Sequence, residues 1–547
     1  MSANAQRSEE AMLRICDPDS RWRDTHPGSI SLSHPCIGAA DTEDLAFAFC
    51  VVATAASAGT EATSRRGSSP EVIGTRLSPR PQSTLSSPMS FKSLPSRCGA
   101  MIARLRTVLG EKDDFKTLLL GAGLALIIRI LASAIGYVSI ILLARWMGPS
   151  DYGLYSFAIA WMTLLAYPAT LGLPGAAVRF VGQYAAANDW QHVVGFMQAS
   201  SWLAFGCGAL IATLTIPAVL YFKPYLNPDY VAPTIVALAG IPFVALTIVR
   251  SEAIRGLGWI VLAWGPLQLG QPLLLLIMSA TMVFCTMQLT AAAGVFASIL
   301  AYATNLIAQW RVLHGRLGTR LEAERNVNLG PWLGVGLSFL WIYLASAILV
   351  QADVIVVGIF LKSQDVAIYS AAAATSRLVG FPLHAATALS APKFAVLYAQ
   401  HRQLDLQSLV TDVTRWTFWP SLAIAVIFVA FGTIVLRLFG PGFEQGYATL
   451  LILTLGQLVN AFAGPVTSLL NMTGHQIVTG RVLSMSAIFG VVFGLAFTWI
   501  WESVGTAIAF SGAMALWNAW LAIFVIRKLE IYPCLSPQWN RSSGSKS

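Results

Sequence analysis

Charge is scarce in this chain of 547 residues: Lys+Arg number 35 and Asp+Glu 26, together 11% of the sequence, against 56% hydrophobic residues. A soluble domain carries about 25% charged residues, so a water-facing surface cannot be built from this composition. Soluble multi-domain enzymes and wholesale disorder are both excluded. Cysteine is also sparse: seven residues, four of them (Cys16, Cys36, Cys50 and Cys98) in the first hundred positions, without metal-type or disulfide-framework spacing. No GxxxxGK[ST] loop, HExxH helix or paired-carboxylate constellation is present, so the sequence offers no nucleotide-hydrolysing, zinc-protease or glycosidase chemistry. No cofactor is implied.

What is present divides sharply. Residues 1–100 contain 17 Ser and 8 Pro, with 10 basic and 10 acidic residues. Their one apolar stretch, 45–58, is 14 residues long, short of the ~20 that a helix needs to cross hydrocarbon. Residues 1–100 are therefore expected to be a disordered extension, or one created by placing the start codon too far upstream of Met101. From Leu118 the chain becomes a series of long apolar segments cut by short polar joints. Twelve are counted, at about 118–145, 151–173, 193–221, 231–253, 259–285, 289–312, 332–361, 366–392, 412–439, 447–472, 477–500 and 503–527. Inside a bilayer each segment must satisfy its own backbone, and no ten-residue alternation of a barrel is seen, so the fold class is an all-α membrane protein.

Lys and Arg set the orientation. With a cytoplasmic N-terminus, 17 flank the inner ends of the spans and 4 the outer ends, a strong positive-inside asymmetry. Both termini are expected in the cytoplasm of a multi-pass cell-membrane protein. The net charge of +9 is then explained by topology and requires no nucleic acid.

The chain also repeats itself. DYGLYSFAIAWMTLLAYP (151–168) aligns with DVAIYSAAAATSRLVGFP (365–382), pairing Asp151 with Asp365, Tyr155 with Tyr369, Ser156 with Ser370 and Pro168 with Pro382. Further on, Gly240 pairs with Gly456 and Gly258 with Gly474. Six helices separate the partners, so both halves run the same way through the membrane, as two six-helix lobes with a cleft between them. The boundaries expected are an N-lobe over 101–312, a cytoplasmic inter-lobe loop over 313–331, a C-lobe over 332–530 and a cytoplasmic tail over 531–547.

Ionisable residues within spans mark candidate function, because each costs roughly 2.5–3.5 kcal/mol at the bilayer centre and must face a cavity or a partner. Arg129 lies about twelve residues into the first span, with Ser133 and Tyr137 following at four-residue steps on one face. Asp353 and Arg377 fall at similar depth on adjacent antiparallel spans, within reach of an ion pair. Gln351 and Ser346 add polarity beside Asp353, and Asn305 and Gln309 do so on the sixth span. Arg129, Ser133, Tyr137, Arg377 and Gln351 are the candidate cavity residues, and Asp353 is the candidate ion-coupling or ion-pairing group. Arg179 and Arg255, at inner ends of spans, are candidates for receiving an anionic head group from the cytoplasm. A guanidinium suits phosphate, because its donor fork matches the oxygens and it keeps its charge at any accessible pH.

LLARWMGPSDYGLYSFA (142–158), AVRFVGQYAA (177–186), QADVIVVGIFLKSQDVAIYSAAAA (351–374) and LLNMTGHQ (469–476) together resemble the polysaccharide-transporter branch of the MOP exporter superfamily. The resemblance covers about 115–527 and implies a two-lobed, V-shaped bundle working by alternating access. It further implies a polyprenyl-pyrophosphate-linked glycan as cargo, and other polysaccharide-assembly proteins as partners. Alternatives within the superfamily are a peptidoglycan-precursor flippase and a drug exporter of the MATE type. A membrane glycan polymerase or ligase is the enzyme alternative, disfavoured by short outer joints that gather no acid, base and nucleophile.

Overall fold

The structure is a computed structural model that describes residues 112–533, apart from 226, 286–287 and 319–324, with side chains described from 130 onward except at 225, 260 and 388. Residues 1–100 lie outside the described residues, as does most of the expected tail. Among the described residues the ordered elements are all helical. They are α1 (Lys112–Ala169), α2 (Leu173–Ala186), α3 (Trp190–Phe222), α4 (Pro228–Gly256) and α5 (Ile260–Gly265). A π-helical turn (Pro266–Gly270) joins α5 to α6 (Gln271–Phe284), and α7 (Ala291–Leu317) completes the first half. The second half contains α8 (Leu329–Phe360), α9 (Ser363–Ala399), α10 (Gln403–Arg437), α11 (Tyr447–Ala463), α12 (Val466–Met472) and α13 (Gln476–Leu529).

Among the described residues, ten helical segments are long and apolar enough to cross a membrane, and two of them fold back on themselves. α13 breaks at Trp501 and at Glu502, whose φ is 52°. Thr498 and Thr506 then hydrogen-bond through their hydroxyls at 2.6 Å, whereas eight residues of continuous helix would separate them by about 12 Å. Phe510 lies against both Gly490 and Gly494 of the facing arm, the close helix packing that a GxxxG step permits. α1 breaks at Gly148 (φ 78°), which brings Met147 and Tyr155 together against Gly294. Ten segments thus make twelve crossings.

Exposed large apolar side chains, among them Trp202, Leu214, Phe284, Trp419 and Trp499, face outward, as they must where the solvent is hydrocarbon. Polar caps start several helices. Asp189 accepts from the His192 N–H at the start of α3, Asn227 from Asp229 at α4, and Thr290 from Ala293 at α7.

The internal repeat is realised in the backbone. Gly258 follows α4 and Gly474 follows α12, and their φ angles are 83° and 84°. Each closes the turn between equivalent crossings in a conformation that favours glycine. Pro168 and Pro382 lie inside equivalent helices. Tyr155 and Tyr369 each turn a hydroxyl onto a buried partner, Ser298 (3.1 Å) and Asp353 (3.2 Å) respectively.

The lobes meet mainly through α8 and α9 of the second against α1 and α2 of the first. At one end a single apolar cluster draws on both lobes, with Leu143, Met147, Tyr152 and Leu275 against Ala371, Val379, Phe439 and Phe443. Hydrogen bonds join the lobes from this end inward. Ser150 meets Ser363 at 2.9 Å, the Arg145 Nε–H donates to the Leu438 carbonyl at 2.7 Å, and Tyr137 meets Thr375 at 2.9 Å. Gly153 lies so close to the Ser363 carbonyl that no Cβ would fit.

At the opposite end the linker is shorter than hydropathy suggests, because α7 runs to Leu317 and α8 begins at Leu329. Trp332, in the first turn of α8, is 1% exposed within an N-lobe cluster. Its ring stands edge-on to Phe196 at 4.9 Å and its Nε1–H donates to the Tyr184 hydroxyl at 3.1 Å.

Candidate functional site

α9 is a mostly buried helix in the middle of the bundle. From Asp365 to Leu383 its one exposed residue is Arg377. An exposed guanidinium on an otherwise packed helix calls for water or a polar partner, because facing lipid would cost it several kcal/mol. Gly380, one turn on, has no side chain, and the Gln457 Oε1 of α11 reaches to 2.6 Å of where a Cβ would stand. His384, a second turn on, is exposed. The α9–α11 wall therefore aligns a guanidinium, an amide and an imidazole along one face, three groups able to donate hydrogen bonds to an anion.

Asp353 is 7% exposed. Its carboxylate accepts from the Val354 N–H at 2.8 Å and from the Tyr369 hydroxyl at 3.2 Å. Arg377 lies within electrostatic reach of Asp353, Tyr369 and Tyr152, but no ion pair within 4.0 Å joins it to Asp353 among the described residues. Equal depth on neighbouring helices set the two charges near each other, and helix rotation left the carboxylate facing Tyr369. Gln351 is half-buried two residues before Asp353, and the Ser346 hydroxyl returns to its own helix at the Ile342 carbonyl, 2.8 Å away.

On the facing wall, Arg129 lies in α1 but its side chain is outside the described residues. Ser133 is half-buried. Tyr137 is half-buried too, its hydroxyl on Thr375 and its ring edge-on to Phe439 at 5.9 Å. Of the candidates on the first span it reaches the other lobe. Asn305 and Gln309 of α7 are sealed inside the N-lobe, at 1% and 0% exposure. The Gln309 Nε2 donates to the Ser251 hydroxyl at 3.3 Å, and the missing side chain of Gly270 leaves room for Asn305.

The two inner-end arginines differ. Arg179 is exposed on α2 with its guanidinium 5.8 Å from the Phe180 ring centroid. Arg255 is held one turn from Glu252, its Nε–H donating to Oε2 at 2.6 Å, and it lies 5.6 Å from the Trp264 ring centroid. Glu252 escaped the sequence reading because it occupies the last turn of a span, where counting cations registers the arginine alone. Beyond α2, Asp189 pairs with His192 at 2.6 Å. The His192 backbone N–H and imidazole hold that carboxyl below the usual aspartate value.

Comparison with known proteins follows the fold. Residues 118–389 match the family model described as polysaccharide biosynthesis protein. No curated protein matches the chain in sequence. Among solved structures, an inward-facing multidrug-resistance MATE family transporter of the MOP superfamily is similar, with 16% identity, a TM-score of 0.62, and coverage of 74% of this chain and 99% of that one. A MATE in the straight conformation gives 15%, 0.56, 76% and 96%. A Pyrococcus furiosus MOP superfamily transporter, whose description reports a binding pocket of reversed polarity, gives 14%, 0.53, 76% and 96%. At these identities the likeness is one of fold.

Proposed function

Because residues 118–389 are a polysaccharide biosynthesis family domain on the fold of the MOP superfamily transporters, we propose that this chain flips lipid-linked oligosaccharides. The reading takes a polyprenyl-pyrophosphate-linked glycan from the cytoplasmic to the outer leaflet by alternating access, for surface polysaccharide assembly. One observation carries it: Arg377, the exposed residue in an otherwise packed stretch of α9, with Gln457 at its side. A fixed cation facing the cleft suits a pyrophosphate, and Arg129 is the second cation that the sequence offers for this role. Cationic drugs, the alternative cargo, would call for acidic walls.

The orientation of this reading follows from the basic flanks. Arg179 and Arg255 lie beside the cluster in which Trp332 of α8 docks, and that end is assigned to the cytoplasm. The stitched end with Ser150 and Ser363 then faces outward. In that frame the lobes are closed to the outside, as they must be when cargo is received from within. With no nucleotide-binding loop in the sequence, the driving force is assigned to an ion gradient, with Asp353 as the coupling group. The partners of this reading are the membrane, the lipid-linked glycan and the enzymes and channels that assemble the exported polymer.

The test is complementation. In a strain lacking its own flippase, the wild-type chain restores surface glycan, while Arg377→Ala and Arg129→Ala each reduce it severely at equal membrane abundance. Full export by both variants rejects the reading.

A further inference from the structure

Positive charge is scarce at the end assigned to the outside, where the spans are flanked by Arg145, Lys223, Lys362 and Arg437 alone. Three of these four stand at the seam between the lobes. The Arg145 Nε–H donates to the Leu438 carbonyl at 2.7 Å, across 293 residues of sequence. Arg437 precedes Leu438, and Lys362 precedes Ser363, whose hydroxyl meets that of Ser150 at 2.9 Å. The asymmetry that keeps basic residues on the inner side gives no reason for these three to collect at one joint.

The carboxylates beside the seam are committed to backbone. Asp151 accepts from the Ala291 N–H at 2.9 Å, Asp365 from the Lys362 N–H at 3.3 Å and Glu444 from the Gly442 N–H at 3.0 Å. Glu444 also stands 4.0 Å from the Arg437 Nε. Arg145 is exposed, and among the described residues no carboxylate lies within 4.0 Å of its guanidinium. Its bond to Leu438 uses one donor of the fork and leaves the rest.

A path of contacts joins this guanidinium to Arg377. Thr375, two residues before Arg377, bonds to the Tyr137 hydroxyl at 2.9 Å. The Tyr137 ring stands edge-on to Phe439 at 5.9 Å, and Phe439 follows Leu438. Along α1, Arg145 lies two turns beyond Tyr137, about 12 Å nearer the outer end. The two cations thus flank the Tyr137 bond, Arg377 inward of it and Arg145 outward. The Leu438 carbonyl, at the C-terminus of α10, is an acceptor for Arg145 only while the lobes touch. When they part, the guanidinium loses that partner with no carboxylate to replace it, and a diphosphate supplies the missing acceptors in bidentate geometry. The exchange ties opening to cargo, since an anion that binds the parted seam better shifts the balance toward it by that difference.

We propose that Arg145, with Arg437 beside it, is a release site that receives the pyrophosphate of the cargo from Arg377 as the outer seam opens. The proposal rests on the flippase reading and adds to it the outward half of the path.

The experiment uses the full chain. In proteoliposomes supplied with the lipid-linked oligosaccharide pool extracted from the cells that make this protein, Arg145→Gln is expected to slow flipping about tenfold, the loss of one charge-assisted pair. Arg145→Lys, which restores the charge, stays within about twofold of wild type. Arg437→Gln, which leaves the Leu438 bond in place, slows flipping severalfold. If Arg145 serves only to stitch the seam, its loss loosens the closed state, and both glutamine variants flip at least as fast as wild type. That result overturns the release site, as does an Arg145→Lys rate as low as that of Arg145→Gln. A second measurement identifies the source of the phosphate. With spin labels at Lys223 and Gln364, on opposite lobes, inorganic pyrophosphate added to phosphatidylcholine nanodiscs raises the longer-distance population in wild type and not in Arg145→Gln. A shift that follows anionic lipid content and ignores pyrophosphate assigns the guanidinium to a phospholipid headgroup and overturns the proposal. A wild type that flips nothing overturns the flippase reading itself.

Discussion

Tyr137 in the first arm of α1 and Thr375 in α9 share a hydrogen bond of 2.9 Å across 238 residues of sequence. Thr375 lies two residues before Arg377. The bond that joins the two lobes and the exposed Arg377 are therefore carried by the same helical turn, and one cannot swing far without the other. Tyr137→Phe removes the bond and keeps the ring on Phe439. A lost hydrogen bond of about 1 kcal/mol shifts a two-state balance roughly fivefold. Spin labels at Lys223 and Gln364, on opposite lobes of the seam, should show a longer-distance population growing by that factor. An unchanged distance distribution means that the bond does not hold the seam.

The seam has a harder constraint at Gly153, where the Ser363 carbonyl occupies the place of a side chain. Gly153→Ala must push the lobes apart, and overpacking of this kind costs about 1–3 kcal/mol. The Ser150 and Ser363 hydroxyls, 2.9 Å apart, supply the readout. Cysteines at those two positions should cross-link readily under oxidation and arrest transport until reduced. Adding Gly153→Ala should lower the cross-linked fraction severalfold, and equal yields would show that the seam tolerates a methyl group.

Asp353 offers a separation of stability from coupling. Asp353→Ala leaves the buried Tyr369 hydroxyl without its acceptor, at a cost of about 1–3 kcal/mol. Asp353→Asn keeps an acceptor of the same shape. The midpoint of thermal unfolding in detergent should fall clearly for the alanine variant and little for the asparagine one. If the carboxylate couples an ion, the asparagine variant folds yet carries glycan at a rate that no longer responds to collapsing the gradient. A gradient response equal to that of wild type assigns Asp353 to packing alone.

Much of this architecture was legible because a bilayer imposes one rule on every span. Segments such as 231–253 declared themselves by length and apolarity, and the structure adjusts its ends by about a turn; the segment expected over 447–472 instead stops at Ala463, and Gly464 and Pro465 separate it from α12. The repeat was legible at glycines: Gly258 and Gly474 matched as letters and then matched in φ. What hydropathy could not show is α2, a 14-residue helix too short to cross and lying in a joint. Nor could depth along a helix give its rotation, which is why Asp353 and Arg377 were placed side by side while Tyr369 went unnoticed as the partner. Glu252 was hidden by its neighbour Arg255, with which it pairs in the folded chain.

Trp332 gives the two halves an unequal division of labour. By sequence it opens the second lobe, yet its ring is seated among residues of the first. The place where the chain passes from one repeat to the next is therefore not the place where the packing of one half gives way to that of the other. α8 belongs to both halves at once: Trp332 is seated among residues of the first, while Ala352 and Val356 pack on Ala509 and Phe510 of α13 in the second.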